Sequence, residues 1–255
     1  MSDTSLRTTA ATLGDDVVAA YRRDGFVHLP GVISPQNAER FRQAALAAQH
    51  TTTALHDGRM YTQLVQLWEH DETLRELTLD ASLAGIAARL AGIPLRLWHD
   101  QLLIKAPHNG VATEFHQDQP GWPHTNVRHA MTAWIALVDV PVERGCMTFI
   151  PGSQHRRGLR VQDLTDSADL FSLAPDLAWQ QRVTAPLRAG DCTFHDSFVA
   201  HTASPNLTDE PRIAHLIHYV DAAATYSGEL AHPITEPLGL AVGQTLPDGP
   251  FPRFN

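Results

Sequence analysis

The chain has 255 residues, and its 43% hydrophobic and 18% charged content is typical of a folded protein with a substantial core. Its net charge of −9, with Lys105 as the single lysine, argues against a general nucleic-acid binder, which needs excess positive charge. Two cysteines, Cys146 and Cys192, are too few for a disulfide framework, and neither an apolar leader nor a membrane-spanning run is present. We therefore expect a cytoplasmic protein with both cysteines in its core and no membrane partner.

Helical patterns dominate the first third of the chain. Apolar residues recur at helical spacing over residues 15–25 and end at a glycine suited to a C-cap. Ser34 supplies an N-cap for a second helix, and an alanine-rich third helix is predicted over residues 80–92. One alternating segment, residues 26–33, predicts a short strand. We predict a helical N-terminal flank over about residues 1–93.

From residue 94 the pattern changes to short segments rich in β-branched, aromatic and leucine residues, separated by proline, glycine and asparagine. Such segments predict the strands of a barrel or sandwich over about residues 94–221. They are residues 94–107, 129–141, 146–153, 180–187, 190–196 and 212–221. Residues 159–179 and 222–255 match neither pattern, and we expect them to be irregular and to cover one mouth of the barrel. With no internal repeat or linker, a single domain over 1–255 is predicted.

His116 and Asp118, in the segment EFHQDQPGWP, are the first candidates for a metal site. A histidine two residues before an acid is expected once or twice by chance in this composition, and His70 and Glu72 form a second such pair. The second pair lies in a helical stretch, where a spacing of two turns the side chains apart. Near a strand, residues two apart face the same side, so His116 and Asp118 can share one ion.

His201, in HDSFVAHTASPN, is the best candidate for a third ligand. Two histidines and one carboxylate leave three adjacent positions of an iron open, which is typical of non-haem Fe(II) oxygenases. A zinc hydrolase can use the same ligands and keep an open position for activated water. The ligand types alone therefore leave the metal undecided.

Arg212 lies eleven residues after His201 and begins the last predicted strand. If His201 ends one strand of a hairpin and Arg212 begins the next, the guanidinium reaches the same cavity. Its planar fork of donors suits a bidentate grip on a carboxylate. A salt bridge to a protein acid such as Asp191 is an equally simple interpretation.

Three stretches together resemble the phytanoyl-CoA dioxygenase family of Fe(II)- and 2-oxoglutarate-dependent oxygenases. They are FHQDQPGW, TAWIALVDVPVERGCMTFIPGSQH and GDCTFHDSFVAHTASPNLTDEPRIAHLIHYV. The resemblance covers about residues 20 to 221, and the ordered set of motifs is more specific than any one of them. It implies a mainly β fold with flanking helices, built on a double-stranded β-helix (a cupin-like jelly-roll).

The resemblance also implies the roles of site residues. Iron would be held by His116, Asp118 and His201. Arg212 would bind the distal carboxylate of 2-oxoglutarate, and Trp134 and Gln101 would line the cosubstrate pocket. Many members carry a serine two residues after the distal histidine, whereas this chain has Ala203. Either Thr202 or Ser204 substitutes for it, or Arg212 holds the carboxylate with fewer helpers.

The activity implied is oxidation of an unactivated C–H bond of a small molecule, using Fe(II), 2-oxoglutarate and O2 and releasing succinate and CO2. Hydroxylation, in secondary metabolism, is the expected outcome, with ring closure, desaturation or epimerisation as alternatives. An aspartate at position 118 disfavours halogenation, because related halogenases have a small residue there. No catalytic residue is expected beyond the metal centre, and a monomer or homodimer is expected. A zinc hydrolase and a non-catalytic binding module are the rival hypotheses.

Other polar and aromatic residues have simpler interpretations. His195 is expected to be a core or turn residue rather than a ligand, and His215 and His218 to face opposite sides of the last strand. A further set is expected to pack within loops or to border the substrate pocket: Trp122, His124 and Met60–Gln63. Structural or exposed positions are expected for His99 and His108, and a solvent-directed ammonium for Lys105. A solvated loop is expected for Arg156, Arg157 and Arg160, with binding of an anionic substrate group as the alternative.

Overall fold

The computed structural model describes residues 8–55 and 58–254. The helices are α1 (Asp15–Asp24), α2 (Pro35–Thr51), α3 (Glu72–Thr78), α4 (Ala81–Ala91) and α5 (Asp169–Leu173). The strands are β1 (Phe26–Leu29), β2 (Thr62–Val65), β3 (Leu95–Lys105), β4 (Thr113–His116), β5 (His124–Thr125), β6 (Ala130–Ala136), β7 (Met147–Phe149), β8 (Val183–Ala185), β9 (Cys192–Asp196), β10 (His201–Ala203), β11 (Arg212–Asp221), β12 (Thr225–Tyr226) and β13 (Arg253–Phe254).

The strands form two antiparallel sheets and a small ribbon. The large sheet has the order β1-β9-β6-β11-β3-β13, with β2 also paired to β3. The small sheet has the order β4-β10-β7-β8, and β12 pairs with β5. All six predicted strand segments contain a strand, and the predicted jelly-roll core with its helical flank is confirmed.

Strand β11 shows how the large sheet is buried on both faces. Ile213, Ile217 and Tyr219 pack in the cluster that joins the large sheet to α1–α4. Ala214 and Leu216, on the alternate positions, join the cluster between the two sheets. Because side chains alternate along a strand, one run of sequence fills both cores. The cavity described below opens between the sheets.

The predicted helices begin and end where their caps place them. Ser34 accepts a hydrogen bond from the amide of Asn37 at the start of α2. Gly25, at φ 82°, ends α1 in the left-handed conformation that glycine adopts without strain. Strand β1 pairs with β9 in the large sheet, so the region predicted as a flank also supplies sheet strands. The division of the chain near residues 93 and 221 stays a prediction.

Two segments predicted to be irregular contain short regular elements. Residues 159–179 hold α5 and a 3-10 turn at Pro175–Trp179, and residues 222–255 hold β12 and β13. These elements are anchored by tertiary contacts such as Phe251 stacked on Trp98, with ring centroids 5.3 Å apart. Such short pieces carry no periodicity of their own, so the sequence pattern missed them.

Lys105 is fully buried, and the prediction that it extends to solvent is wrong. Its ammonium donates to the main-chain oxygens of Val111 (2.9 Å), Ala203 (3.3 Å) and Ser204 (2.9 Å). Three acceptors match the three protons of an ammonium, so the side chain ties β3 to the end of β10.

The remaining predictions on composition concern the cysteines and the membrane. Cys146 and Cys192 are both buried and unpaired, as expected. Among the residues that the structure describes, none of the helices combines the length and the apolar character needed to cross a bilayer.

A β-bulge in β3 places Asp100 beneath the helices. His218 lies opposite His99 and Tyr219 lies opposite Leu97, so Trp98 is the extra residue. The carboxylate of Asp100 accepts from the amides of Leu67 and Trp68, each at 2.9 Å. The hydroxyl of Thr78 donates to it at 2.9 Å and also contacts Nε2 of His215 at 2.8 Å. Burial raises the pKa of Asp100 to about 7, although these donors oppose the shift.

We expect Asp100→Ala to lower the free energy of unfolding by about 3 kcal/mol, because two buried amides and a hydroxyl lose their acceptor. Chemical denaturation followed by circular dichroism measures the change. The matched control is Glu143→Ala, which removes an exposed carboxylate. A loss within about 0.5 kcal/mol of that control would show that the network contributes nothing to stability.

Candidate metal centre

His116 and Asp118 meet because the chain turns at the end of β4. His116 is the last residue of the strand, whereas Asp118 has helical dihedrals (φ −70°, ψ −46°) and precedes a 3-10 turn at Gln119–Gly121. Pro120 lies within that turn, where its fixed φ is favourable. His116 and Asp118 are therefore close together, as predicted. The turn after β4 brings them together, however, and not the alternation of side chains along a strand on which the prediction was based.

His201 is the first residue of β10 and lies directly opposite His116 in the neighbouring strand β4. The two imidazole centroids are 4.2 Å apart. Directly opposed residues of an antiparallel pair have neighbouring side chains. The register of the small sheet thus brings together two histidines that are far apart in sequence.

The three side chains present one ligand atom each to a common point. Nε2 of His116 and Nε2 of His201 each lie 3.7 Å from Oδ1 of Asp118, and the three atoms lie within 4.8 Å of one another. Nδ1 of His116 donates to the oxygen of Glu114 (2.7 Å), and Nδ1 of His201 donates to the oxygen of Val199 (3.0 Å). These hydrogen bonds leave both Nε2 lone pairs free, as a metal ligand requires.

The charge states also fit a metal. Burial lowers the pKa of His116 and of His201 to about 4, so both imidazoles are neutral at neutral pH. Burial opposes ionisation of Asp118, but His201, His195 and His116 outweigh it and hold its pKa well below the usual range. Neutral imidazoles and an ionised carboxylate are the forms that bind a metal. Two nitrogens and one oxygen suit Fe(II) or Zn(II).

Arg212 lies in the same cavity, at the start of β11. Its side chain is 1% exposed, and its guanidinium carbon lies 5.3 Å from the centroid of the Trp134 ring. Burial lowers its pKa to about 10, which leaves it charged. No acidic side chain of the described residues forms a salt bridge with it. Asp191, the rival partner, contacts His28 and the amides of Gly31 and Arg188 instead.

The hairpin predicted to deliver Arg212 is not the observed geometry. His201 begins β10 rather than ending a strand, and β10 and β11 belong to different sheets. Arg212 enters the cavity because the chain crosses from the small sheet to the large one between them. The two residues face each other across the space between the sheets.

The cavity has a volume of about 390 Å³. Among the predicted residues it is lined by His116, Asp118, His201, Arg212, Trp134, Gln101, His195, His218, Trp122, Tyr61 and Gln63. Gln63 donates to the side-chain oxygen of Gln101 at 2.9 Å. Sequence reasoning did not single out other lining residues, among them Leu55, Thr113, Met147, Val161, Leu164 and His232. They lie mostly in loops or in strands too short to show alternation.

Ala203 lines the cavity, but neither proposed substitute for serine does so. The hydroxyl of Thr202 donates to the oxygen of Thr113 at 2.6 Å. The hydroxyl of Ser204 donates to the oxygen of Val142 at 3.2 Å. Both hydroxyls are engaged elsewhere, so the suggestion that one of them replaces the serine is wrong.

The other histidines for which the sequence made a prediction lie outside the cluster formed by His116, Asp118 and His201. His195 is buried with Nε2 3.5 Å from Oδ2 of Asp118, the oxygen that does not face the other two histidines. His218 lines the cavity, whereas His215 faces the helices through Thr78, as their opposite orientation predicted. His99 is buried within β3 against His218, with centroids 4.3 Å apart. His108 is exposed and contacts Asp209 at 2.7 Å.

The loop predictions have mixed outcomes. Trp122 borders the cavity, but His124 does not, because it packs against Trp98 with ring centroids 4.1 Å apart.

His70 lies before α3 rather than on a helix, so helical spacing does not explain why His70 and Glu72 cannot share a metal ion, and that prediction is wrong. Both residues are exposed. The arginine cluster is a surface loop. Arg156 pairs with Asp176, Arg160 pairs with Asp169, and Arg157 lies over Phe198.

Comparison with known proteins agrees with this geometry. The family model described as phytanoyl-CoA dioxygenase matches residues 21–214. L-proline trans-4-hydroxylase of Streptomyces griseoviridis is 30% identical over 250 residues, covering 88% of this chain and 91% of the relative.

Two solved structures from nogalamycin biosynthesis are also similar. The non-haem alpha-ketoglutarate-dependent carbocyclase SnoK superposes with a TM-score of 0.88 at 37% identity, over 98% of this chain and 99% of SnoK. The epimerase SnoN, in complex with Fe3+, alpha-ketoglutarate and nogalamycin RO, superposes with a TM-score of 0.82 at 35% identity, over 94% of this chain and 98% of SnoN. The family match spans most of the chain and includes His116, Asp118 and His201. The chain belongs to the phytanoyl-CoA dioxygenase family of iron- and 2-oxoglutarate-dependent oxygenases.

Proposed function

We propose that this enzyme oxidises a C–H bond of an uncharged small molecule, with Fe(II) held by His116, Asp118 and His201. The convergence of Nε2, Oδ1 and Nε2 in one cavity with a buried guanidinium carries the proposal. Iron with 2-oxoglutarate and O2 supplies the oxidation that removes hydrogen from an unactivated C–H bond, releasing succinate and CO2. The residues of the chain supply orientation and a cavity shielded from water.

Arg212 is proposed to bind the distal carboxylate of 2-oxoglutarate. A buried cation needs a counter-charge, and the described residues offer it no carboxylate. Trp134 packs across the guanidinium and restricts its orientation, while Gln101, held by Gln63, lines the same part of the cavity. Tyr61 lines the same cavity as Arg212. We propose Tyr61 as the additional hydroxyl near this carboxylate, in the absence of a serine at Ala203.

The charge balance of the cavity favours an uncharged substrate. Apart from the histidines, only two of the described lining residues, Asp118 and Arg212, have ionisable side chains that carry a full charge, and both have proposed partners. Burial lowers the pKa of His218 and of His232, two further histidines of the cavity lining, to about 4. A substrate carboxylate, phosphate or ammonium would therefore be buried without a counter-charge. This argues against an acyl-CoA and against an amino acid such as the L-proline of the Streptomyces relative.

The two nogalamycin enzymes favour a secondary metabolite as the substrate. Hydroxylation is the expected outcome, and their activities make ring closure and epimerisation the second candidates. Mass spectrometry of the product separates the three outcomes, which are gain of one oxygen atom, loss of two hydrogen atoms and no mass change. A cytoplasmic location, the absence of a nucleic-acid partner and a monomeric or homodimeric state stay predictions from the sequence.

We expect His201→Ala to weaken Fe(II) binding by more than about 100-fold, because loss of even an outer partner of a ligand costs about 10- to 100-fold. Anaerobic titration calorimetry measures the affinity. The matched control is His108→Ala, which removes an exposed histidine. Equal affinities in the two variants would contradict the ligand assignment. Full activity with Zn(II) and without O2 would favour the hydrolase.

We expect Arg212→Ala to weaken 2-oxoglutarate binding by about 100-fold or more, because a buried charge pair loses one partner. In the anaerobic Fe(II) enzyme, titration with 2-oxoglutarate should give a weak visible charge-transfer band in the wild type, and the variant should need correspondingly more cosubstrate. Arg188→Ala is the control, since Arg188 is exposed. A band that forms in the Arg212 variant at wild-type concentrations would exclude this residue as the carboxylate anchor.

We expect L-proline to give no hydroxyproline with the reconstituted enzyme, because its two charges find no counter-charge in the substrate part of the cavity. Chromatography with mass detection follows the product. Succinate release without added substrate serves as the control for competent iron and cosubstrate. Hydroxyproline at the rate of that succinate release would refute the uncharged-substrate proposal.

A further inference from the structure

The two carboxylate oxygens of Asp118 have different surroundings. Oδ1 faces Nε2 of His116 and Nε2 of His201, each at 3.7 Å. Oδ2 is turned away from them and lies 2.8 Å from the hydroxyl of Thr132. Nε2 of His195 lies 3.5 Å from the same oxygen. Only one oxygen of the carboxylate is thus directed toward the other two ligand atoms.

The hydroxyl of Thr132 is shared between two neighbours. It lies 2.8 Å from Oδ2 of Asp118 and 2.8 Å from Nδ1 of His218. A metal-binding carboxylate is ionised and can only accept, so the single hydroxyl proton is donated to Oδ2. The hydroxyl oxygen must then accept a hydrogen bond from Nδ1 of His218. Because the Thr132 hydroxyl has a single proton, its donation to Asp118 also fixes the direction of the hydrogen bond with His218.

The large sheet fixes this relay. Thr132 on β6 and His218 on β11 lie directly opposite each other in the antiparallel register. Thr132 is fully buried and His218 is 3% exposed, so bulk water does not compete for these hydrogen bonds. Hydrogen bonds shielded from water in this way hold their geometry strongly.

We infer that Thr132 is a positioning residue for the metal centre, which holds Asp118 through Oδ2 so that the carboxylate offers only Oδ1 to the ion. His218 acts through Thr132 by occupying the second acceptor position of its hydroxyl. A carboxylate free to rotate can offer both oxygens and fill a position that the cosubstrate or O2 needs. The inference rests on the metal centre proposed above and adds a specific role for two residues outside the ligand set.

Thr132→Val and Thr132→Ser separate the hydroxyl from the shape of the side chain. The metal is Co(II), whose visible bands report the ligand geometry, in the full-length protein. We expect Thr132→Val to weaken Co(II) binding by about 10- to 100-fold and to change the visible spectrum. Thr132→Ser, which keeps the hydroxyl, should retain the wild-type affinity and spectrum. Thermal unfolding of the metal-free proteins checks that the valine variant is folded.

The matched control is Thr193→Val, a buried threonine on β9 whose hydroxyl has no hydrogen-bond partner among the described residues. It should leave Co(II) binding unchanged.

A second pair of variants, His218→Asn and His218→Leu, tests the hydrogen bond between His218 and Thr132 if the Thr132→Val variant does not fold. The asparagine keeps a donor near Nδ1 and should retain affinity, whereas the leucine should lose it.

The outcomes distinguish this inference from the proposed function. A wild-type protein that binds neither Co(II) nor Fe(II) overturns the metal centre itself. A wild type that binds Co(II), together with a folded Thr132→Val protein of equal affinity and spectrum, overturns only the positioning role. Equal weakening in the valine and serine variants also overturns it, because the effect would then follow from packing rather than from the hydroxyl.

Discussion

The antiparallel register between β4 and β10 is the constraint on which the site depends. It sets His201 opposite His116, and the turn after β4 brings Asp118 to the same point. Main-chain oxygens then fix both imidazoles with Nε2 free. A shift of one residue would turn His201 to the other face of its sheet and dismantle the ligand set. The small sheet, with only four short strands, therefore carries most of the positional information.

The large sheet contributes electrostatics rather than ligands. Its strands β3, β6 and β11 are buried on both faces, yet the face toward the small sheet carries Arg212, Thr132 and His218. Burial of such groups is costly unless each has a partner. Arg212 has no salt bridge to an acidic side chain among the described residues, which supports the proposal that it binds a ligand carboxylate. The Thr132 hydroxyl lies within hydrogen-bond distance of both Asp118 and His218. The apolar cluster on the opposite face, against α1–α4, stabilises the sheet that holds these groups.

The two charged residues of the cavity, Asp118 and Arg212, have proposed roles in the chemistry that the family shares. The proposed ligand set and the proposed cosubstrate arginine are common requirements of the chemistry, so they reveal little about the substrate. The remaining lining residues are apolar, amide, hydroxyl or imidazole groups. We therefore propose that substrate selection rests on shape and on a small number of hydrogen bonds. Part of this lining, including Leu55, Val161 and Leu164, lies in loops, which vary more between related proteins than strands do.

The sequence by itself determined the strand segments of the core and the caps of three helices, and it singled out His116, Asp118, His201 and Arg212 as candidate site residues. These follow from local periodicity, from capping chemistry and from an ordered motif set, all of which are readable along the chain. Only the tertiary structure decided that Asp118 lies in a turn, that a bulge at Trp98 places Asp100 beneath the helices, and that Lys105 is buried. The link from His218 through Thr132 to Asp118 was equally invisible, because it depends on which residues of β6 and β11 face each other. Cross-strand register is set by packing between distant segments, and no local pattern encodes it.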